Sequence, residues 1–242
     1  MTGQIADLLF TPSVDGNDNL QREGIPPEKV HLVGNVMIDS LIRLLPAALS
    51  QLPKDLPPRY VLVTLHRPGN VDDIGWLTQL LDLLDEVGRK LPVLFPVHPR
   101  TQQRIAEAGR KPAGTSGLQL LPPAPYLEFL ALQSRAAAVV TDSGGIQEET
   151  TFLGISCLTV RENTERPITV TVGSNTLVGR DCGRLRAELD GILARTSRKA
   201  SVPPLWDGRA AERIADIIYC ADRYRPVMKP PRPGQLCRAQ SA

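Results

Sequence analysis

The sequence predicts an α/β protein: a Rossmann-like, doubly wound parallel sheet. Three observations carry that prediction. Short β-rich apolar runs alternate along the chain with segments of helical period. Several of these runs are apolar throughout, as strands covered on both faces require. Polar clusters rich in small residues follow three of the runs directly, which is where open parallel sheets bind ligands.

The elements follow in order. Strands are expected at Lys29–Val33, Tyr60–Leu65, Val93–Val97, Leu118–Leu121, Ala137–Thr141 and Ser156–Val160. Between them Ile74, Leu77, Leu81, Leu84 and Val87 recur at helical spacing, which predicts a helix over residues 72–89. The same reasoning gives helices near 36–45, 100–109, 125–134, 144–153, 183–195 and 208–223. Pro53, Pro57 and Pro58 mark the loop that leads into the strand at 60. The expected organisation is an inter-domain segment over 1–27, a Rossmann-like ligand-binding domain over 28–200 and a crossover helix over 201–224. A proline-rich tail without periodicity, expected to be disordered, runs from 225 to 242.

Composition narrows the function. With 28 Lys and Arg against 26 Asp and Glu, the formal charge of +2 argues against a nucleic-acid binder, because no basic stripe stands out. No apolar run approaches the roughly 18 residues of a spanning helix, and the start of the chain lacks the basic-then-apolar character of a signal peptide. Cys157, Cys182, Cys220 and Cys237 show no paired spacing and read as reduced thiols, so the expected location is the cytoplasm, away from the membrane.

The three polar clusters are His66-Arg67-Pro68-Gly69-Asn70, His98-Pro99-Arg100 and Asp142-Ser143-Gly144-Gly145. Two of the three histidines of the chain therefore share a rim with a glycine pair. The last cluster is the most informative. A strand ends, small residues turn sharply, and a helix starts whose first amides lack partners and carry the positive end of the dipole. Gly144 and Gly145 allow a diphosphate close to the backbone, and Ser143 is suited to capping the helix or donating to a phosphate. Glu149 lies on the order of 6–8 Å along that helix at about 1.5 Å per residue. A carboxylate there suits the two hydroxyls of a ribose. The plainer alternative is a capping turn followed by two solvated glutamates.

At these residues the chain resembles the non-hydrolysing UDP-N-acetylglucosamine 2-epimerases. The run Asp142-Ser143-Gly144-Gly145-Ile146-Gln147-Glu148-Glu149 is similar to the signature segment of that family. Leu153-Gly154, Arg161-Glu162-Asn163-Thr164-Glu165-Arg166-Pro167, Gly34-Asn35, Pro96-Val97-His98-Pro99, Gly173-Ser174-Asn175 and Trp206-Asp207-Gly208 extend the likeness from about Ile5 to Tyr224. The resemblance implies the second half of a two-domain GT-B-type fold and a role in cell-surface polysaccharide biosynthesis. The implied reaction eliminates UDP from UDP-N-acetylglucosamine to leave a 2-acetamidoglucal. Re-addition of UDP then gives UDP-N-acetylmannosamine. Neither a nicotinamide cofactor nor a metal is implied.

Carried over by position, Ser143, Gly144 and Gly145 hold the diphosphate, Glu149 the ribose, and Arg166 another part of the nucleotide-sugar. Phe129 lies beside the uracil, and His66 stabilises the departing UDP. Arg67 and His98 match positions nearer an effector or behind the substrate. A homodimer is implied as well. In place of the charged pair common after His-Arg, this chain has Pro68 and Gly69. The family's N-terminal domain, with the acids that move the C2 proton, is missing from this sequence, which is expected to be a truncated chain or one half of a split enzyme and inactive alone. The alternatives are a UDP-sugar-binding module without chemistry and half of a GT-B glycosyltransferase.

Overall fold

A computed structural model describes residues 2–109, 117–194 and 200–224, so the expected tail 225–242 and Cys237 lie outside the described residues. The chain opens with α1 (Thr2–Ile5), β1 (Leu9–Thr11), α2 (Val14–Arg22), β2 (Val30–Leu32) and α3 (Val36–Leu49). It continues with β3 (Val61–Thr64), α4 (Pro68–Val71), α5 (Ile74–Gly88), β4 (Val93–Pro96), α6 (Pro99–Glu107) and β5 (Leu118–Leu121). Then come α7 (Tyr126–Arg135), β6 (Ala138–Thr141), α8 (Gly144–Leu153), β7 (Ser156–Thr159) and α9 (Pro167–Thr171). The last elements are β8 (Asn175–Leu177), α10 (Cys182–Leu193) and α11 (Ala210–Tyr224).

Six strands form one sheet in the order β5-β4-β3-β6-β7-β8, every pair parallel. The alternation of side chains along each strand divides the core. Val61, Val63, Val93, Phe95, Ala138 and Val140 face α5 and α10, where Leu77, Leu84, Leu185 and Leu189 are buried. Tyr60, Leu62, Leu94 and Val139 face the other way, against Leu132 of α7. Each fully buried Leu of this kind contributes about 1.5–3 kcal/mol of transfer free energy. The Tyr60 hydroxyl donates to the Leu132 carbonyl, and burial holds its pKa above the ordinary phenol range. At the β5 edge of the sheet, the end of α5 meets the start of β5 backbone to backbone. A Cβ on Gly117 would fall 1.6 Å from the Gly88 carbonyl oxygen, so only glycine fits.

Several features depart from expectation. The strand near 29–33 exists but pairs with β1 in a separate two-stranded parallel sheet, not with the main one. Periodicity identifies a strand, not its partner. Helix α3 runs through Pro46 to Leu49 although the helix was expected to end at 45, because Ala48 beyond the proline is fully buried against Leu130 and Ala131. That packing outweighs the one backbone bond a proline forgoes. Strands β1 and β8 were not expected at all; each is only three residues long.

The segment 203–213 ties the small sheet to α3 and α11. Trp206, 2% exposed, donates from Nε1 to the Pro12 carbonyl at 2.9 Å. Arg213 pairs with Asp207 and donates to the Val33 carbonyl at 3.0 Å. The carboxylate of Asp39 on α3 accepts from the amides of Ala210 and Ala211 and so caps α11.

Candidate functional site

The chain winds outward from β3 to β5, returns to the centre at β6, and then winds the other way to β8. The reversal lies between β3 and β6, and ligands of such sheets bind beyond the carboxyl ends of the strands flanking it. The residues beyond those two strands are His66-Arg67 and Asp142-Ser143-Gly144-Gly145. The strand order thus brings together two clusters that lie far apart in the sequence.

Asp142 joins them. Its carboxylate is fully buried, and its Oδ2 accepts from the Arg67 amide at 2.9 Å and from Asn70 Nδ2 at 3.0 Å. The His66 amide lies 3.2 Å from both oxygens, and His66 Nδ1 lies 3.2 Å from Oδ1. Burying a carboxylate is costly unless donors surround it, and here they come from strand-end amides and one amide side chain. Asn70 reaches it because Pro68 opens the short helix α4. Asn70 also donates to the Val160 carbonyl at 3.0 Å. The His66 side chain remains half exposed.

Helix α8 starts at Gly144, with Ser143 as its N-cap. The Ser143 hydroxyl makes no capping bond and its amide donates to Thr141 Oγ1, so the turn is held by Thr141. The Met37 side chain covers Gly145, where a Cβ would come within 2.9 Å of its methyl. The helix start thus presents a dipole, glycine backbone and an uncommitted hydroxyl, the chemistry an anion needs.

The two glutamates that follow are buried, at 2% and 3% exposed, which overturns the solvated alternative. Glu149 accepts from the Tyr126 hydroxyl at 3.0 Å and from Gln133 Nε2 at 3.2 Å. Phe129, half-buried, lies between these two positions along α7 and so on the face turned to α8. Glu148 faces the other flank, where Arg166 Nε lies 2.9 Å from its Oε1 as an ion pair without hydrogen-bond alignment. Burial raises the pKa of both carboxyls. Arg166 and Asn35 oppose that rise at Glu148, and Tyr126 and Gln133 oppose it at Glu149.

Arg166 is positioned from below. Gln147 Oε1 accepts from Thr164 Oγ1 at 2.6 Å and from Asn175 Nδ2 at 3.2 Å, and the Arg166 amide donates to Thr164. Arg161 grips Glu165 through two hydrogen bonds and holds its carboxyl at about 2. Arg67 Nη2 lies 4.0 Å from Glu165. An open cavity of about 590 Å³ lies beside this group, bordered by Arg67, Asn70, Arg161 and Arg180. His98 stands apart: its Nδ1 accepts from the Arg100 amide at 3.3 Å and caps α6.

Of the expected residues, His66, Arg67, Ser143, Gly144 and Gly145 meet at the switch point. Glu149, Phe129 and Arg166 line the two flanks of α8. Sequence reasoning did not single out Asp142, Asn70, Tyr126, Gln133 and Glu148 as functional residues. The first two belong to clusters already read as site-bearing, whereas Tyr126 and Gln133 carry no local signal beyond their spacing from Phe129.

No helix among the described residues is long and apolar enough to cross a membrane. The family model described as UDP-N-acetylglucosamine 2-epimerase matches residues 1–219. The UDP-N-acetylglucosamine 2-epimerase of Methanococcus maripaludis is 35% identical over 232 residues, which cover 90% of this chain and 62% of that protein. The UDP-2,3-diacetamido-2,3-dideoxy-D-glucuronate 2-epimerase of Pseudomonas aeruginosa is 37% identical, covering 90% of this chain and 61% of its own length. The crystal structure of Methanocaldococcus jannaschii UDP-GlcNAc 2-epimerase in complex with UDP-GlcNAc and UDP matches with a TM-score of 0.79 at 34% identity, over 90% of this chain and 62% of that one. The chain thus spans less than two thirds of the length of these relatives.

Proposed function

Because the chain belongs to the UDP-N-acetylglucosamine 2-epimerase family, we propose that it forms the nucleotide-holding part of an enzyme that interconverts UDP-N-acetylglucosamine and UDP-N-acetylmannosamine. The observation that carries this reading is the meeting of His66 and the Ser143–Gly145 helix start at the switch point of the sheet. The diphosphate rests on the amides of Gly144 and Gly145 and the Ser143 hydroxyl, the ribose on Glu149, and the uracil beside Phe129. Arg166 adds a contact on the other flank. The Tyr126 bond to Glu149 yields to the ribose hydroxyls when the nucleotide enters.

In the elimination the C1–O bond breaks, its electrons leave with UDP, and the C2 proton passes to a base. His66 stabilises the charge that develops on the leaving diphosphate. Re-addition reverses the steps after the proton returns to the opposite face. The acid and base at C2 come from an N-terminal domain that acts as partner, since Asp142, Glu148 and Glu149 are all engaged by neighbours of their own. A homodimer and a cytoplasmic location belong to the same proposal. So does the division into an inter-domain segment at 1–27, a UDP-sugar-binding domain at 28–200 and a crossover helix at 201–224.

Calorimetric titration of the chain with UDP tests this reading, with His66→Ala beside the native protein. Saturable binding, weakened in the variant, is expected. Addition of a homologous N-terminal domain is expected to yield the N-acetylmannosamine product. Absence of both binding and product would overturn the proposal, and tight binding without turnover would leave a UDP-sugar-binding module.

A further inference from the structure

His66 has two ring nitrogens with unlike surroundings. Nδ1 lies 3.2 Å from Asp142 Oδ1, and the His66 side chain is half exposed at the crevice. The other carboxylate oxygen of Asp142 is occupied by the Arg67 amide and Asn70 Nδ2. The contact is a close pairing without hydrogen-bond alignment, as at Arg166, but a bare nitrogen would set its lone pair against a buried carboxylate, so the nitrogen facing it carries the proton. We propose that Asp142 is a positioning residue that fixes His66 as the Nδ1–H tautomer and turns Nε2 to the crevice. Nε2 is then the atom that meets the leaving diphosphate. The tautomer stands on geometry alone, whereas its use on a diphosphate rests on the function proposed above.

The fixed partners of Oδ2 make the idea testable by one substitution. In Asp142→Asn the amide oxygen stays where Arg67 and Asn70 donate to it. The amide nitrogen then replaces Oδ1 and donates toward His66 Nδ1. A ring facing a donor must bare Nδ1 and carry its proton on Nε2, so the tautomer inverts while the fold is retained. His98 is an internal reference with the opposite arrangement, because its Nδ1 accepts from the Arg100 amide and its proton is therefore expected on Nε2.

Long-range proton–nitrogen correlation of the nitrogen-15-labelled chain, in alkaline buffer where the rings are neutral, separates protonated from bare ring nitrogens. The chain has three histidines, and His66→Gln assigns the relevant signals. The expected result is a protonated Nδ1 on His66 and a protonated Nε2 on His98, with His66 inverted in Asp142→Asn. A bare Nδ1 on native His66, or an unchanged tautomer in a folded variant, would overturn the proposal. The native spectrum decides the matter even if the variant fails to fold. Added UDP is expected to shift Nε2 of His66 and leave Nδ1 in place. UDP that binds without disturbing His66 would overturn the catalytic use of Nε2. UDP that does not bind at all, with the tautomer as expected, would count against the proposed function and not against the role of Asp142.

Discussion

Strands β3, β4 and β6 bury Val63, Phe95 and Val140 on one face and Leu62, Leu94 and Val139 on the other. Strands β1 and β2 fully bury only Thr11. The large sheet is held by helices on both sides, α5 and α10 on one and α7 on the other. The small sheet has too few strands to be stable by itself, and it leans on the returning segment through Trp206 and Arg213. The proposed chemistry sits on the first sheet, where buried charges such as Asp142 can be afforded. The second sheet is anchored to the end of the chain at Pro12 and Val33.

The hardest blow to this contrast is Trp206→Ala, which should cost about 3–5 kcal/mol. Hydrogen exchange should show amides of residues 9–32 losing protection while 61–64 and 138–141 keep theirs. Equal losses in both sheets would erase the distinction. Gly117→Ala should act on the opposite side, at a cost of about 3 kcal/mol, because the new methyl meets the Gly88 carbonyl. Urea unfolding would register it, and a neutral result would mean the close contact relaxes freely.

Glu149→Gln probes the tension between binding and stability within the large sheet. Loss of a charged acceptor for the ribose should weaken UDP about ten- to a hundredfold, or roughly 1.5–3 kcal/mol. Stability should hold or rise at pH 7. Burial raises the folded-state pKa of this carboxyl, so the folded form favours the proton and the ionised group costs stability above the ordinary carboxylate range. That cost fades as pH falls toward about 4.3, the unfolded value, and the advantage of the variant should fade with it. Melting curves from pH 7 to 4 would show a constant offset if burial were not the cause. The smallest effect is expected from Asp39→Ala, at about 1 kcal/mol, seen as faster exchange in the first turn of α11. Unchanged exchange there would assign the helix start to Arg213 and Asp207 instead.

The large sheet was readable because its signals are local and strong. Leu118–Leu121 and the helix at 144–153 appear with the bounds expected of them. The small sheet was not, since Leu9–Thr11 is too short for periodicity, and Val14–Arg22 carries a glycine and two asparagines that argue against the helix it forms. The same division runs through the site. Ser143, Gly144 and Gly145 announce themselves by composition. Glu149 was placed by rise per residue, but its contacts with Tyr126 and Gln133 depend on how α7 crosses α8, which no local pattern encodes. Asp142 was named within the turn but given no role of its own, since only the sheet order shows what it faces.

That sheet order also sets a timetable. The bond from the His66 amide to Asp142 joins residues 76 apart, and the bond from Trp206 to the Pro12 carbonyl spans 194. Contacts so distant along the chain form slowly, since each must close a long loop before it gains anything. As the chain grows, β3 is complete long before β6 can pair with it, whereas β1 meets its partner as soon as Val30–Leu32 follow. The rim at the switch point closes only when Asp142 arrives, and the anchor at Pro12 closes later still, with Trp206.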